Sequence, residues 1–147
     1  SLLMLLKKEI KFLGFIYYTA AQITGAIVGV ILANLMFDLP AIEISEKIRA
    51  GNNIYLSEII ATFGLLLTIS IISIKNSSII APAVGLYITA GYWFTSSTSF
   101  ANPAVSIARS FTNTFTGICP SNVIYFIIMQ TTAVIIVFFT GKVLLKD

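Results

Sequence analysis

Phe100-Ala101-Asn102-Pro103-Ala104-Val105 is the stretch on which the reading of this chain turns. It lies between two apolar spans, in a segment too polar to cross a bilayer. Asn is favoured just before a helix, because its side-chain oxygen accepts a bond from an orphan N–H of the first turn. Pro suits the first helical position, where no N–H is needed. The pattern predicts a half-length helix from residue 103 to about 113. That is roughly 11 residues, or about 16 Å at about 1.5 Å each, against a hydrocarbon core of about 30 Å. Such a helix starts near the midplane and aims its positive dipole end there.

Composition sets the surroundings. The chain has 147 residues, of which 57% are hydrophobic and 10% charged; a soluble domain carries about 25% charged residues. This is the composition of an integral membrane protein. The net charge of +3 is spread over the ends of apolar spans and forms no stripe, so nucleic acid is not an expected partner. Cys119 is alone and there is no His. A disulfide framework, a metal site and His-based catalysis are therefore not expected, and no cofactor is.

Four spans read clearly, over 12–37, 54–74, 79–94 and 123–145, with the polar segment 95–122 before the last. Lys7, Lys8, Lys11, Lys75, Lys142 and Lys146 fall on one side if each span crosses once, and that side is assigned to the cytoplasm. Lys47 and Arg49 fall on the other, offset by Asp38, Glu43 and Glu46. The assignment requires 95–122 to enter and leave by the same face. A re-entrant segment is tolerated only where it is buried in protein or lines a water-filled cavity.

An internal repeat accompanies this plan. Ile16-Tyr17-Tyr18-Thr19-Ala20-Ala21-Gln22-Ile23-Thr24 aligns with Ile124-Tyr125-Phe126-Ile127-Ile128-Met129-Gln130-Thr131-Thr132. Ile-Tyr, Gln and Thr recur in register. Repeats of opposite orientation build many transporters and channels. Ser1–Leu6 is apolar and precedes Lys7 and Lys8, the reverse of a signal peptide's order. The expectation is a chain that begins part-way through a repeat.

Ala21-Gln22 with Gly25-Ala26, Glu58 with Thr62-Phe63, Gly85, and Phe100-Ala101-Asn102-Pro103-Ala104 before a half-helix occur in this order. With them, nearly all of residues 1–147 resemble the major intrinsic proteins, the aquaporins and aquaglyceroporins. The resemblance implies an all-α membrane protein: an inverted-repeat helical bundle, here about four transmembrane helices plus one re-entrant half-helix. The family has six spans and two Asn-Pro-Ala half-helices. On that plan this chain holds spans three to six and the second half-helix, without the first two spans and the first Asn-Pro-Ala. Residues 91–109 look like a bacterial subgroup whose members often accompany arsenic-resistance genes.

The resemblance also assigns roles. Asn102, with Pro103 and Ala104, would present amide N–H groups to a passing oxygen and break a proton wire; the plainer reading is a helix cap alone. Val105 stands where most of the family carries Arg at the outer constriction. Losing a guanidinium removes five donors and a fixed charge, which predicts a wider, less polar filter. Alternatively, Arg109, one turn further along the same face, supplies the charge. Tyr92 is either a filter residue or a packing aromatic. The backbone carbonyls of Thr98, Ser99, Phe100 and Ala101 are expected to line the pathway.

Glu58 is a charge inside an apolar span, where it costs about 2.5–3.5 kcal/mol at a helix centre and needs partners. The resemblance implies that it holds N–H groups of the re-entrant segment; direct solute contact is the other reading. Gly25 and Gly29 read as a close-packing face. Trp93, Phe94 and Tyr125 read as interfacial anchors. Cys119 is a small loop residue or a mercury-sensitive thiol.

No nucleophile–base pair appears, so an enzyme is not expected. The expected function is a passive channel for water and small uncharged solutes, such as glycerol and arsenous acid, in the cell (plasma or inner) membrane. A homotetramer is expected from the resemblance. The competing expectation is a truncated, non-conducting fragment.

Overall fold

A computed structural model describes the backbone of residues 1–144 and the side chains of residues 1–141. The side chain of Lys142, together with Leu145 and Lys146, lies outside the described residues, and with it that part of the expected charge asymmetry and of the last span. The described chain is all-helical: α1 Leu2–Leu6, α2 Phe12–Met36, α3 Asn52–Lys75, α4 Ile80–Phe94, α5 Pro103–Ala108 and α6 Pro120–Leu144. Two 3₁₀ turns, Ser77–Ile79 and Arg109–Phe111, precede α4 and follow α5.

Among the described residues, three helices are long and apolar enough to cross a membrane: Phe12–Met36, Asn52–Lys75 and Pro120–Gly141 within α6. Three such helices make this a multi-pass membrane protein. The third expected span, 79–94, is α4, Ile80–Phe94. Its 15 residues reach about 22 Å at about 1.5 Å per residue, less than the other three. Asn76 marks its approach: the side chain accepts from the N–H and hydroxyl of Ser78 at 3.1 and 2.7 Å, which fixes a tight turn between α3 and α4.

The half-helix is shorter than expected. Asn102 is extended (φ −157°), its oxygen caps the chain at the N–H of Ala104, and Pro103 opens α5. After six residues the helix tightens into the Arg109–Phe111 turn, with the Ser110 hydroxyl donating to the carbonyl of Ile107 at 2.6 Å. Asn113, the expected end, serves another purpose: its side chain accepts from the N–H of Glu46 at 3.1 Å.

The chain divides into two compact units. The first comprises residues 1–50 and 102–127; the second comprises 51–101 and the chain from 128 onward. In the first unit, α2 packs against α5, and the loop after α2 lies along the segment after α5. Glu43 and Ser45 donate N–H bonds to the carbonyls of Phe111 and Ser110 (3.1 and 2.9 Å), and Cys119 donates to Lys47 (2.7 Å). Gly117 sits at the closest approach: a Cβ there would collide with the carbonyl of Thr112 and the Ser45 hydroxyl.

Arg49 was counted from sequence as an outer-loop charge, but it is 4% exposed. It donates from Nε to the carbonyl of Gly117 at 2.7 Å and from Nη2 to that of Phe115 at 2.8 Å. Its own N–H donates to Asn122 Oδ1 at 3.0 Å. The fork geometry of a guanidinium suits two carbonyls on one turn. The expected packing face at Gly25 and Gly29 differs too: a Cβ at either meets open space.

In the second unit, α3 packs against α4. Tyr87 donates its hydroxyl to the carbonyl of Ala61 at 3.0 Å and lies directly over Gly64. Trp93 and Phe94, expected at an interface, are both exposed.

Replacing Arg49 by Met leaves the Gly117 and Phe115 carbonyls without these donors. With charged hydrogen bonds worth about 1.5–3 kcal/mol, Arg49→Met should destabilise the complete protein by about 3 kcal/mol. Thermal unfolding in detergent reads this directly, and an unchanged midpoint would contradict it.

Candidate functional site

The chemistry of the second unit centres on Glu58 of α3, which is fully buried. Its Oε1 accepts from the N–H of Ala101 at 2.6 Å and from Gln130 Nε2 at 2.8 Å. The N–H of Phe100 and the side chain of Ser97 also face this carboxylate. A buried charge needs such partners, because desolvating it alone costs several kcal/mol. One residue earlier, Ser57 accepts from the N–H of Ser97 at 3.2 Å. Two adjacent side chains of α3 thus hold the segment between α4 and Asn102.

That segment is held in a conformation most residues avoid. Thr98, Ser99 and Ala101 have φ of 61°, 48° and 51°. The left-handed region costs a non-Gly residue about 1–2 kcal/mol, and a β-branched residue such as Thr98 is the least suited to it. Strain of this kind persists only where the surroundings over-determine it. The surroundings here are Glu58, Ser57 and the bond from the N–H of Ser99 to Ser97 Oγ at 3.3 Å. Gly91 of α4 completes the seat, since a Cβ there would lie 2.6 Å from Ser99 Oγ.

Asn102 uses its oxygen for the cap on Ala104 at 2.9 Å. This leaves Nδ2, the donor, on the other side of the amide. Pro103 and Ala104 form the first turn of α5, Ala104 buried.

A cavity of about 620 Å³ lies in the first unit. Val105 and Arg109, the two candidates for the filter position, both line it. Facing them is the α2 wall of Ala26, Gly29, Val30 and Ala33. Tyr92 lies on α4, is 37% exposed and is not among the residues that line the cavity. The structure therefore brings Val105 together with Arg109, and Thr98–Ala101 together with Glu58.

Cys119 is partly exposed just before α6. Its Sγ lies 3.2 Å from Ser121 Oγ, and hydrogen bonding from Ser121 holds the thiol below its ordinary pKa.

Gln130, Asn34 and the threonines at 112, 114 and 116 are not singled out by the sequence. Gln130 was seen only as a repeat position; the other position, Gln22, donates to Ser1 Oγ at 2.7 Å instead of to a carboxylate. Asn34 near the end of α2 is 4% exposed and reaches the segment after α5. Thr112, Thr114 and Thr116 line the cavity with it; their alternation in the sequence was the available signal.

Among known proteins the chain is similar to the aquaglyceroporin AqpS of Rhizobium meliloti (strain 1021). The two are 54% identical over 113 residues, which is 77% of this chain and 48% of that protein. The chain belongs to the major intrinsic protein family. It spans about half the length of the curated relative it matches. No family model and no solved structure matches it.

Glu58→Gln should lower the stability of the complete protein by about 1.5–3 kcal/mol, the worth of a hydrogen bond to a charged group. Solute selectivity should change little. Thermal unfolding and solute flux measured together check this; a fully stable variant with altered selectivity would contradict it.

Proposed function

We propose that this chain forms part of a passive channel for water and small uncharged solutes, glycerol and arsenous acid among them. The observation that carries this reading is the 54% identity to a protein named an aquaglyceroporin. In this reading the carbonyls of Thr98, Ser99, Phe100 and Ala101 line the pathway, and Glu58 fixes them by holding the segment's N–H groups. Asn102 offers its amide donor to solute oxygens as they pass Pro103 and Ala104. A permeant oxygen that accepts there cannot at the same step relay a proton onward, which favours neutral solutes over hydronium.

Val105 sets the filter. An aliphatic side chain lacks the donors and charge of Arg, so the constriction is wider and exacts less desolvation from a polyol backbone. Arg109, on the same cavity, acts at the mouth and repels cations through its fixed charge. The channel works in the cell membrane as a homotetramer; the exposed apolar side chains of α2, such as Leu32 and Leu35, are surfaces that lipid or neighbouring copies would cover.

Val105→Arg in the complete protein, reconstituted in vesicles, should cut glycerol and arsenite flux about tenfold more than water flux. Stopped-flow light scattering and arsenic uptake measure the difference. Equal losses for all solutes would contradict the filter assignment.

A further inference from the structure

The cavity of the first unit contains a chain of hydroxyls whose proton directions can be worked out. Asn34 Nδ2 donates to two carbonyls, of Ala41 at 3.3 Å and Phe111 at 3.2 Å. A flipped amide would set its oxygen against both, so the orientation is fixed by chemistry. Asn34 Oδ1 is therefore the acceptor facing Thr112, whose hydroxyl lies 2.7 Å away and donates to it.

A hydroxyl has one proton. That of Thr112 is committed to Asn34, so the 3.2 Å bond between Thr112 and Thr114 has Thr114 as donor. The proton of Thr114 is then used, and the 3.1 Å bond between Thr114 and Thr116 has Thr116 as donor. The chain runs one way. It ends at Thr116 with its donor spent and oxygen lone pairs open. Turn geometry holds the end in place, with the N–H of Gly117 donating to the carbonyl of Thr114 at 3.0 Å.

We propose that Asn34, Thr112, Thr114 and Thr116 form a specificity-determining rail that accepts hydrogen bonds from solute hydroxyls and discriminates against solutes that can only accept. The rail lines the same cavity as Arg109, whose guanidinium is donor only. A neutral solute with adjacent hydroxyls satisfies both: its O–H groups donate to the threonines and its lone pairs accept from the guanidinium. An ether or a ketone satisfies the guanidinium and leaves the rail bare, at the expense of the water it displaced. The opposite wall of Ala26, Gly29, Val30 and Ala33 suits the carbon side of such a solute. This inference rests on the channel reading for its biological setting, but the binding it requires is independent of flux.

The test uses the complete protein in lipid nanodiscs and two probes, 1,2-propanediol and its dimethyl ether, 1,2-dimethoxypropane. Binding is followed by saturation-transfer NMR. The wild type should bind the diol about fivefold or more tightly than the diether, the scale of one or two net hydrogen bonds. Thr116→Val should bring that ratio close to one, and Thr116→Ser should preserve it. A wild-type ratio near one overturns the rail whatever the variants do. A ratio that survives Thr116→Val, in protein with an unchanged unfolding midpoint, overturns it as well. Preference for the diol in a protein that carries no glycerol across vesicles supports the rail and removes the channel reading alone.

Discussion

The bond from the N–H of Ala101 to the Glu58 carboxylate, 2.6 Å long, is the contact on which the site depends. Three non-glycine residues of one short segment occupy left-handed backbone conformations. Local preference opposes all three. The segment also brings polar backbone into a buried place, where each unsatisfied group is costly. A single buried carboxylate answers both problems, because it satisfies N–H groups and fixes their direction. The same carboxylate is itself costly to bury, and Gln130 offsets part of that cost. Removing any member leaves the others with an uncompensated buried charge or dipole.

The first unit solves a related problem with opposite chemistry. Its loop after α2 and its segment after α5 carry little regular structure, so their backbone groups need partners other than a helix. Arg49 supplies donors to two carbonyls, and the Asn34 amide supplies donors to two more. The groups that remain at the cavity are then set by what these anchors leave over: side-chain oxygens on the threonine run and a guanidinium at Arg109. An anionic anchor orders N–H groups in one unit, and donor side chains order carbonyls in the other.

Much of this was legible in the sequence because the relevant signals are local. Apolar length located α2, α3 and α6 to within a few residues of the expected spans. Asn102-Pro103 marked a helix start through cap chemistry, and the structure has that cap. Glu58 announced itself as a charge in an apolar run. The misreadings have a common cause: side chains whose partners lie far away in sequence. Asn113 was placed at a helix end, but it caps the N–H of Glu46, 67 positions away. Arg49 was counted as a solvated charge, and its guanidinium bonds lie 66 and 68 positions off. Periodicity and propensity describe what a segment can do alone; they carry no information on which distant carbonyl a guanidinium will find.

The central claim is passive conduction of small uncharged solutes, and it is tested most directly in vesicles that hold the complete protein. After a hyperosmotic step in glycerol, stopped-flow light scattering should show re-swelling well above the rate of protein-free vesicles. A pH-sensitive dye inside the same vesicles should show no added proton leak. Glycerol re-swelling equal to that of protein-free vesicles would contradict the account.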